Sequence, residues 1–373
     1  MEPMKNAAPK TATLPDAGEP TMMLLSRLLL QPREAALATA AAEFRSMSRE
    51  SFDALVALAS SNHVVIRALE LAQTALGEPQ DATRAHWIEA ALAEERERIA
   101  AAVDFLNVLC TAFQESRLDV TVIKSLDHWP DLGSDIDLYT NALPEQVGAM
   151  MRKRFNARLA ARSWGDRLAC KWNFEIPGLA EPVEVHVRRL GQTGEQVRFA
   201  SQIPARSRVV EIAGRSFRVA HRSDRIMIST LQRMYRHFYF RLCDIIDSAQ
   251  LVDSGEVDFD DLRATAQAAG IWEGVATYLV IVSDYVRQYR GTPLNLPTFV
   301  SEAARFGGDL IYFGKDFLRV PILPQAASLY RRQLTEMLRR RELHSSARLG
   351  LFPWLATAAA VGMKITGSDK GIW

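Results

Sequence analysis

The chain has 373 residues, with 45 Lys and Arg against 44 Asp and Glu, 48% hydrophobic residues and 24% charged ones. That length predicts two or three packed units sharing a sizeable core, and the composition excludes collagen-like, disulfide-rich and wholly disordered classes. Cys110, Cys170 and Cys243 are far from CxxC spacing, so neither a disulfide scaffold nor a zinc knuckle follows, and a reducing cytoplasm is the default compartment.

Residues 1–20 lack the apolar run of a signal peptide and read as a disordered tail. From Met22 to about Glu115 the apolar spacing is helical, with Trp87, Ala91, Ile99, Val103, Leu106 and Leu109 on one stripe of the segment from Thr83 to Phe113. Gly77-Glu-Pro-Gln-Asp interrupts this region, and Asp81 or Thr83 is the candidate cap. At Arg117 the period changes to two, which predicts a strand through Ile123. A loop, Ser125 to Ser134, leads to a second short strand, Asp135 to Thr140, and Pro144 to about Ala161 reads as a helix with proline in its first turn. Val183-Glu-Val-His-Val-Arg alternates strictly, and Arg208 to Val219 reads as a hairpin turning at Ala213-Gly214.

Beyond Ser223 the helical period returns. One long helix is predicted over Ile226 to Val252, with Ile228, Leu231, Met234, Phe238, Leu242, Ile245 and Ala249 as its core stripe. Arg233, His237, Arg241 and Asp244 form a polar stripe beside it, read either as a wall of a cleft or as plain inter-helix pairing. His221, Arg222 and Asp224 read as a helix entry, and Asp258 caps a helix ending at Gly270. The expected organisation is a tail over 1–20, a helical region over 21–115, an α/β core over 116–220, a helical domain over 221–345 and an apolar segment over 346–373. Residues 349–363 are apolar but shorter than the ~20 residues a spanning helix needs, so they read first as a docked helix and second as a peripheral membrane contact. The fold class is α+β, a small mixed sheet flanked by helices.

The sharpest chemical signal is Gly133-Ser134-Asp135-Ile136-Asp137-Leu138. Residues two apart on a strand share a face, so Asp135 and Asp137 present two carboxylates together while Ile136 and Leu138 enter the core. Paired carboxylates repel unless a cation lies between them, and hard oxygen donors suit Mg²⁺ or Mn²⁺. Asp258-Phe-Asp260 has the same spacing but reads as a helix start. Gly133 and Ser134 allow close backbone approach to a phosphate, and Lys124-Ser125 ends the preceding strand at the same edge. The alternation of Val183, Val185 and Val187 sends Glu184 and His186 to the opposite face, where Glu184 is the third acid of a two-metal phosphoryl-transfer constellation, with Glu181 and Glu175 as the fallback choices. His186 is read either as an acceptor-orienting or proton-carrying group or as a partly buried histidine without a role. Between Met151 and Arg222 fifteen Lys and Arg face six Asp and Glu, a basic stretch in an otherwise acidic chain.

Val122-Ile-Lys-Ser, the loop, Gly133-Ser-Asp-Ile-Asp-Leu-Tyr and Val183-Glu-Val-His-Val together resemble the polymerase-beta-type nucleotidyltransferase superfamily. Within it the chain is similar to an uncharacterised bacterial nucleotidyltransferase family in which helices precede a Lys-Gly-loop-Asp-Ile-Asp-Leu core, over about Ser51 to Tyr285. The resemblance implies a nucleotidyltransferase core in which Asp135, Asp137 and Glu184 hold Mg²⁺ or Mn²⁺ and Lys124, Ser125, Gly133 and Ser134 receive the triphosphate of an NTP. The chain departs from it with Lys124-Ser125 in place of Gly-Ser or Lys-Gly, and with glutamate where aspartate is usual at 184. The expected activity is transfer of an NMP from an NTP to an acceptor the sequence does not name, a small molecule, a protein or tRNA, with release of pyrophosphate. The alternatives are a non-catalytic NTP-binding or scaffold protein with this fold and a toxin-like enzyme that modifies tRNA.

Overall fold

A computed structural model describes residues 18–30, 34–76 and 82–366. The tail over 1–17, the helix break over 77–81 with its cap at Asp81, and the end of the 346–373 segment lie outside the described residues. The N-terminal region is helical, as its spacing predicts: α1 (Glu19–Leu30), α2 (Glu34–Ser46), α3 (Arg49–Ser61), α4 (Val65–Leu76) and the 34-residue α5 (Ala82–Glu115). Helix α5 buries Ile88, Leu92, Ile99, Val103, Leu106 and Leu109, while Trp87 and Ala91 lie half-buried beside them.

The central region contains β1 (Thr121–Val122), β2 (Ile136–Thr140), α6 (Pro144–Phe155), β3 (Arg158–Leu159), α7 (Trp164–Ala169), β4 (Lys171–Glu175), β5 (Val183–Val187), α8 (Val197–Arg206), β6 (Arg208–Ile212) and β7 (Arg215–Val219). These strands form a seven-stranded mixed sheet in the order β3-β4-β5-β2-β1-β7-β6. Strands β2 and β5 are parallel neighbours, with Asp137 opposite Glu184 and Tyr139 opposite His186. Ile136, Leu138, Val183, Val185 and Val187 are all buried on the other face, as alternation demands. The hairpin turns at Ala213-Gly214 as predicted.

Several expectations change. The first strand is only two residues long, and Ser125–His128 is a 3₁₀ turn instead of open loop. Helix α6 stops at Phe155, six residues short of the predicted end, because Asn156 takes a left-handed conformation (φ 50°) and the chain turns into β3. Elements α7, β4 and α8 were not anticipated.

The C-terminal region contains α9 (Arg222–Thr230), a π-helical stretch over Leu231–His237, β8 (Tyr239–Phe240), α10 (Leu242–Asp253), α11 (Phe259–Ala269), α12 (Trp272–Arg290), α13 (Thr298–Ala303), β9 (Tyr312–Gly314), β10 (Phe317–Arg319), α14 (Ala327–Arg339), α15 (Leu343–Gly350) and α16 (Phe352–Thr366). The long helix predicted over Ile226 to Val252 is therefore two helices. Phe238 adopts φ 55°, and Tyr239-Phe240 leaves the helix to pair with β10 in a three-stranded sheet. The apolar stripe continues across the break because α10 restarts on the same core. The reversal brings Asp244 back onto Arg233, whose Nε lies 2.7 Å from Asp244 Oδ2. Asp258 caps α11 and Gly270 ends it, as read from the sequence. The apolar C-terminal helix docks by its first turn, where the Phe352 ring meets Phe238 and Tyr330, whereas Trp354 (75% exposed) and Ile365 (77%) face outward. No described helix is long and apolar enough to cross a membrane.

Candidate functional site

One cleft of about 190 Å³ gathers Lys124, Ser125, Gly133, Ser134, Asp135, Asp137 and Glu184, the seven residues to which the sequence assigns metal or triphosphate binding. Its floor is the polar face of β2 and β5, and its opposite wall is the π-helical stretch with Arg233, Arg236 and His237, followed by Tyr239 and Arg241.

The tightest grouping in the floor is Asp137, Glu184 and His186, whose donor atoms all lie within 4.8 Å of one another. His186 Nε2 is 2.7 Å from Glu184 Oε1 and 3.5 Å from Asp137 Oδ1. Asp135 stands two residues upstream on the same face, less buried than its partners. The fallback acids are engaged elsewhere, Glu181 with Arg98 at 2.8 Å and Glu175 with Arg158. Two further residues complete the floor, one with its role left open by the sequence and one not singled out in it. His186 is the first; Lys171 is the second, on β4 opposite His186, with its Nζ 2.5 Å from Glu184 Oε2. The signal for Lys171 is present in Lys171-Trp-Asn-Phe-Glu, where two aromatics alternate with polar residues at strand period.

Lys124 occupies the centre of the acids. Its ammonium contacts Asp137 and lies 3.7 Å from Glu184 Oε1. Its backbone has φ 62° and ψ −60°, and the Ser125 N–H donates to the Ile123 carbonyl at 2.7 Å. That is the γ-turn conformation that L-residues adopt only under strain, and glycine is the residue that takes it cheaply. Here a lysine holds it, which keeps the ammonium over the carboxylates. The Ser125 hydroxyl accepts the Asp137 N–H at 2.7 Å and donates to the Asp135 carbonyl at 3.2 Å, so it fixes the start of β2 under the two aspartates. Gly133 packs on a ring: a Cβ there would stand 3.1 Å from His63 Cε1. Ser134 is exposed at the rim.

The electrostatics follow from this crowding. Burial alone would depress the Lys124 ammonium, but Asp137, Glu184 and Asp135 outweigh it and raise its pKa. Burial would raise Glu184, yet Lys124, His186 and Lys171 hold it well below the usual carboxylate range. At Asp135 the attraction of Lys124 and Lys171 is outweighed. The charge of Asp137 and then its own burial push it up to about 6 from 3.8. On the far wall burial and the charges of Arg236 and Arg233 hold His237 well below its ordinary value, so it is neutral at pH 7.

A folded-state pKa above the unfolded one means that the proton on Asp135 stabilises the fold. That contribution is complete below pH 3.8 and is lost as the pH rises through about 6. The full shift corresponds to about 3 kcal/mol, which partial solvation reduces to ~1–2 kcal/mol. Asp135→Asn should therefore gain ~1–2 kcal/mol over wild type in metal-free buffer at pH 7.5, relative to the difference at pH 4. Urea unfolding at both pH values measures it, and a difference independent of pH would remove Asp135 from the repulsive cluster.

The donor set suits a divalent ion. Three hard carboxylates line the same floor, and Asp137, Glu184 and His186 offer ligand atoms within 4.8 Å of one another. No protein-family model and no curated protein matches the chain.

Proposed function

We propose that the protein is a nucleotidyltransferase that moves an NMP from an NTP to an acceptor and releases pyrophosphate. One observation carries this reading: Asp137 and Glu184 stand in register on adjacent parallel strands, Asp135 shares their face, and cationic side chains wall the same cleft. Asp135, Asp137 and Glu184 would hold Mg²⁺ or Mn²⁺, which supplies charge neutralisation at the reacting phosphate. The chain's own cations take the rest of the triphosphate. Arg236 and Arg241 have buried Nε groups with no hydrogen bond and line the wall opposite the acids. Lys124 and Lys171 exchange carboxylate partners for phosphate oxygens as a nucleotide enters. Ile228, Leu231 and Leu190 supply apolar lining for the nucleoside. His186, beside Glu184, is suited to take the proton of an acceptor hydroxyl.

A second reading, an NTP-binding protein without catalysis, is favoured by one feature: the ammonium groups of Lys124 and Lys171 already neutralise Asp137 and Glu184. The basic surplus of the 151–222 stretch, which favours the tRNA reading, is reduced in part by acids outside it. Arg154 pairs with Glu115, Arg206 with Asp261, Arg215 with Asp104 and Arg222 with Glu256. Incubating the full chain with each α-labelled NTP, Mn²⁺ and cell extract should move label from one nucleotide onto an acceptor, with pyrophosphate as co-product. Measurable NTP binding with no transfer from any of the four would leave the binding protein as the correct reading.

A further inference from the structure

At the back wall of the cleft, His63, His128 and Cys243 bring two imidazoles and a thiol together, all buried, with ligand atoms within 4.8 Å of one another. They come from three separate elements. His63 links α3 to α4, His128 ends the 3₁₀ turn after Lys124, and Cys243 lies in the first turn of α10. The link is tied to α10 by the Leu242 N–H to Asn62 Oδ1 at 2.9 Å and the Cys243 N–H to the Asn62 carbonyl at 3.3 Å. His128 Nδ1 is 2.5 Å from Asp247 Oδ2, which leaves Nε2 facing Cys243 Sγ at 3.8 Å. Asp247 is anchored in turn by Arg67, which also holds Asp131.

This arrangement is expensive for the protein alone. His63 is 7% exposed, its Nδ1 has no hydrogen-bond partner, and its backbone is left-handed at φ 53°. An unpartnered buried polar atom costs ~1–3 kcal/mol. An imidazole oriented by a carboxylate through its second nitrogen is the usual support of a metal-binding histidine. Two imidazoles and a thiolate are the donors that zinc prefers, and they contrast with the hard carboxylates on the cleft floor. A divalent ion together with Arg67 would balance the Cys243 thiolate, Asp131 and Asp247.

We infer that His63, His128 and Cys243 form a zinc site, with Asp247 positioning His128 and the fourth position taken by water or a ligand from the cleft. Bond lengths of 2.0–2.3 Å imply donor spacings of roughly 3.3–3.8 Å around a tetrahedral ion; the His128–Cys243 pair, at 3.8 Å, already has that spacing, and metal entry would expel the thiol proton. Because His63 and His128 also line the cleft, and Gly133 rests on the His63 ring, the ion would pin the segment between Lys124 and Gly133 against the helices. The inference does not depend on nucleotidyl transfer.

Cobalt is the probe. Titrating the metal-free full chain with Co²⁺ should give one equivalent of tight binding with a near-ultraviolet thiolate-to-cobalt absorption, bleached by Zn²⁺. Cys243→Ser should lose that absorption, and Asp247→Asn should weaken Co²⁺ binding by ~10–100-fold. The double variant Asp137→Asn with Glu184→Gln should retain it. Absence of the absorption in the wild-type chain, its persistence in Cys243→Ser, or its loss in the double variant would each overturn the assignment.

Discussion

Asp137→Asn should lower nucleotidyl transfer by ~100–1,000-fold, the scale of losing one electrostatic element of a preorganised site. Asp137 is the node of the floor. It is 4% exposed, its Cα partner across the parallel pair is Glu184, and its carboxylate touches Lys124 and lies 3.5 Å from His186. The asparagine keeps the shape and removes the charge that a divalent ion and the Lys124 ammonium share. Mn²⁺ binding in the floor should disappear by calorimetry. Breaking a buried ion pair costs ~3–5 kcal/mol when one charge is stranded. Here the loss should be smaller, because Glu184 remains 3.7 Å from the ammonium. Cooperative unfolding should therefore persist. The matched control is Glu175→Gln, an exposed acid paired with Arg158, which should transfer label at the wild-type rate. Transfer by Asp137→Asn within a few-fold of wild type would refute the metal role.

What could be read from the sequence follows from which interactions are local. Asp135, Asp137 and Glu184 were legible because strand alternation is a property of neighbours, and Val183, Val185 and Val187 fix the face of Glu184 without knowledge of the partner strand. The hairpin at Ala213-Gly214 and the ends of α11 were legible for the same reason, since turn and cap residues act on their own backbone. Strand β4 was not, although Trp172 and Phe174 alternate with Lys171 and Asn173. Its pairing with β5 is what turns that alternation into a sheet strand and brings Lys171 to Glu184. The break at Phe238 is hidden in the same way. Pairing with β10, some eighty residues onward, overrides a helical period that runs through the site unbroken. His63 is the furthest from view, because α3 and α4 approach the cleft only through the packing of the whole helical region.

Lys124 tests the site through backbone and charge at once. At φ 62° a residue with a Cβ is strained, so glycine should be tolerated better than alanine by ~1–2 kcal/mol, the reverse of their order in ordinary chain positions. Both variants remove the ammonium from Asp137 and Glu184 and leave Lys171 and His186 as the remaining partners. Each should therefore be less stable than wild type in metal-free buffer, with Lys124→Gly the milder. The two effects separate on adding ligands. With its internal cation gone, the floor should bind Mn²⁺ more tightly in the absence of nucleotide, and Mn²⁺ should restore much of the lost thermal stability. Triphosphate affinity should fall in both variants, more for NTP than for NMP, because the ammonium attracts the outer phosphates. Thermal unfolding with and without Mn²⁺, paired with calorimetry of NTP and NMP, resolves each contribution. If Lys124→Gly bound Mn²⁺ no more tightly than wild type and NTP equally well, the lysine would be a structural ion pair, and the strained turn would exist only to bury it.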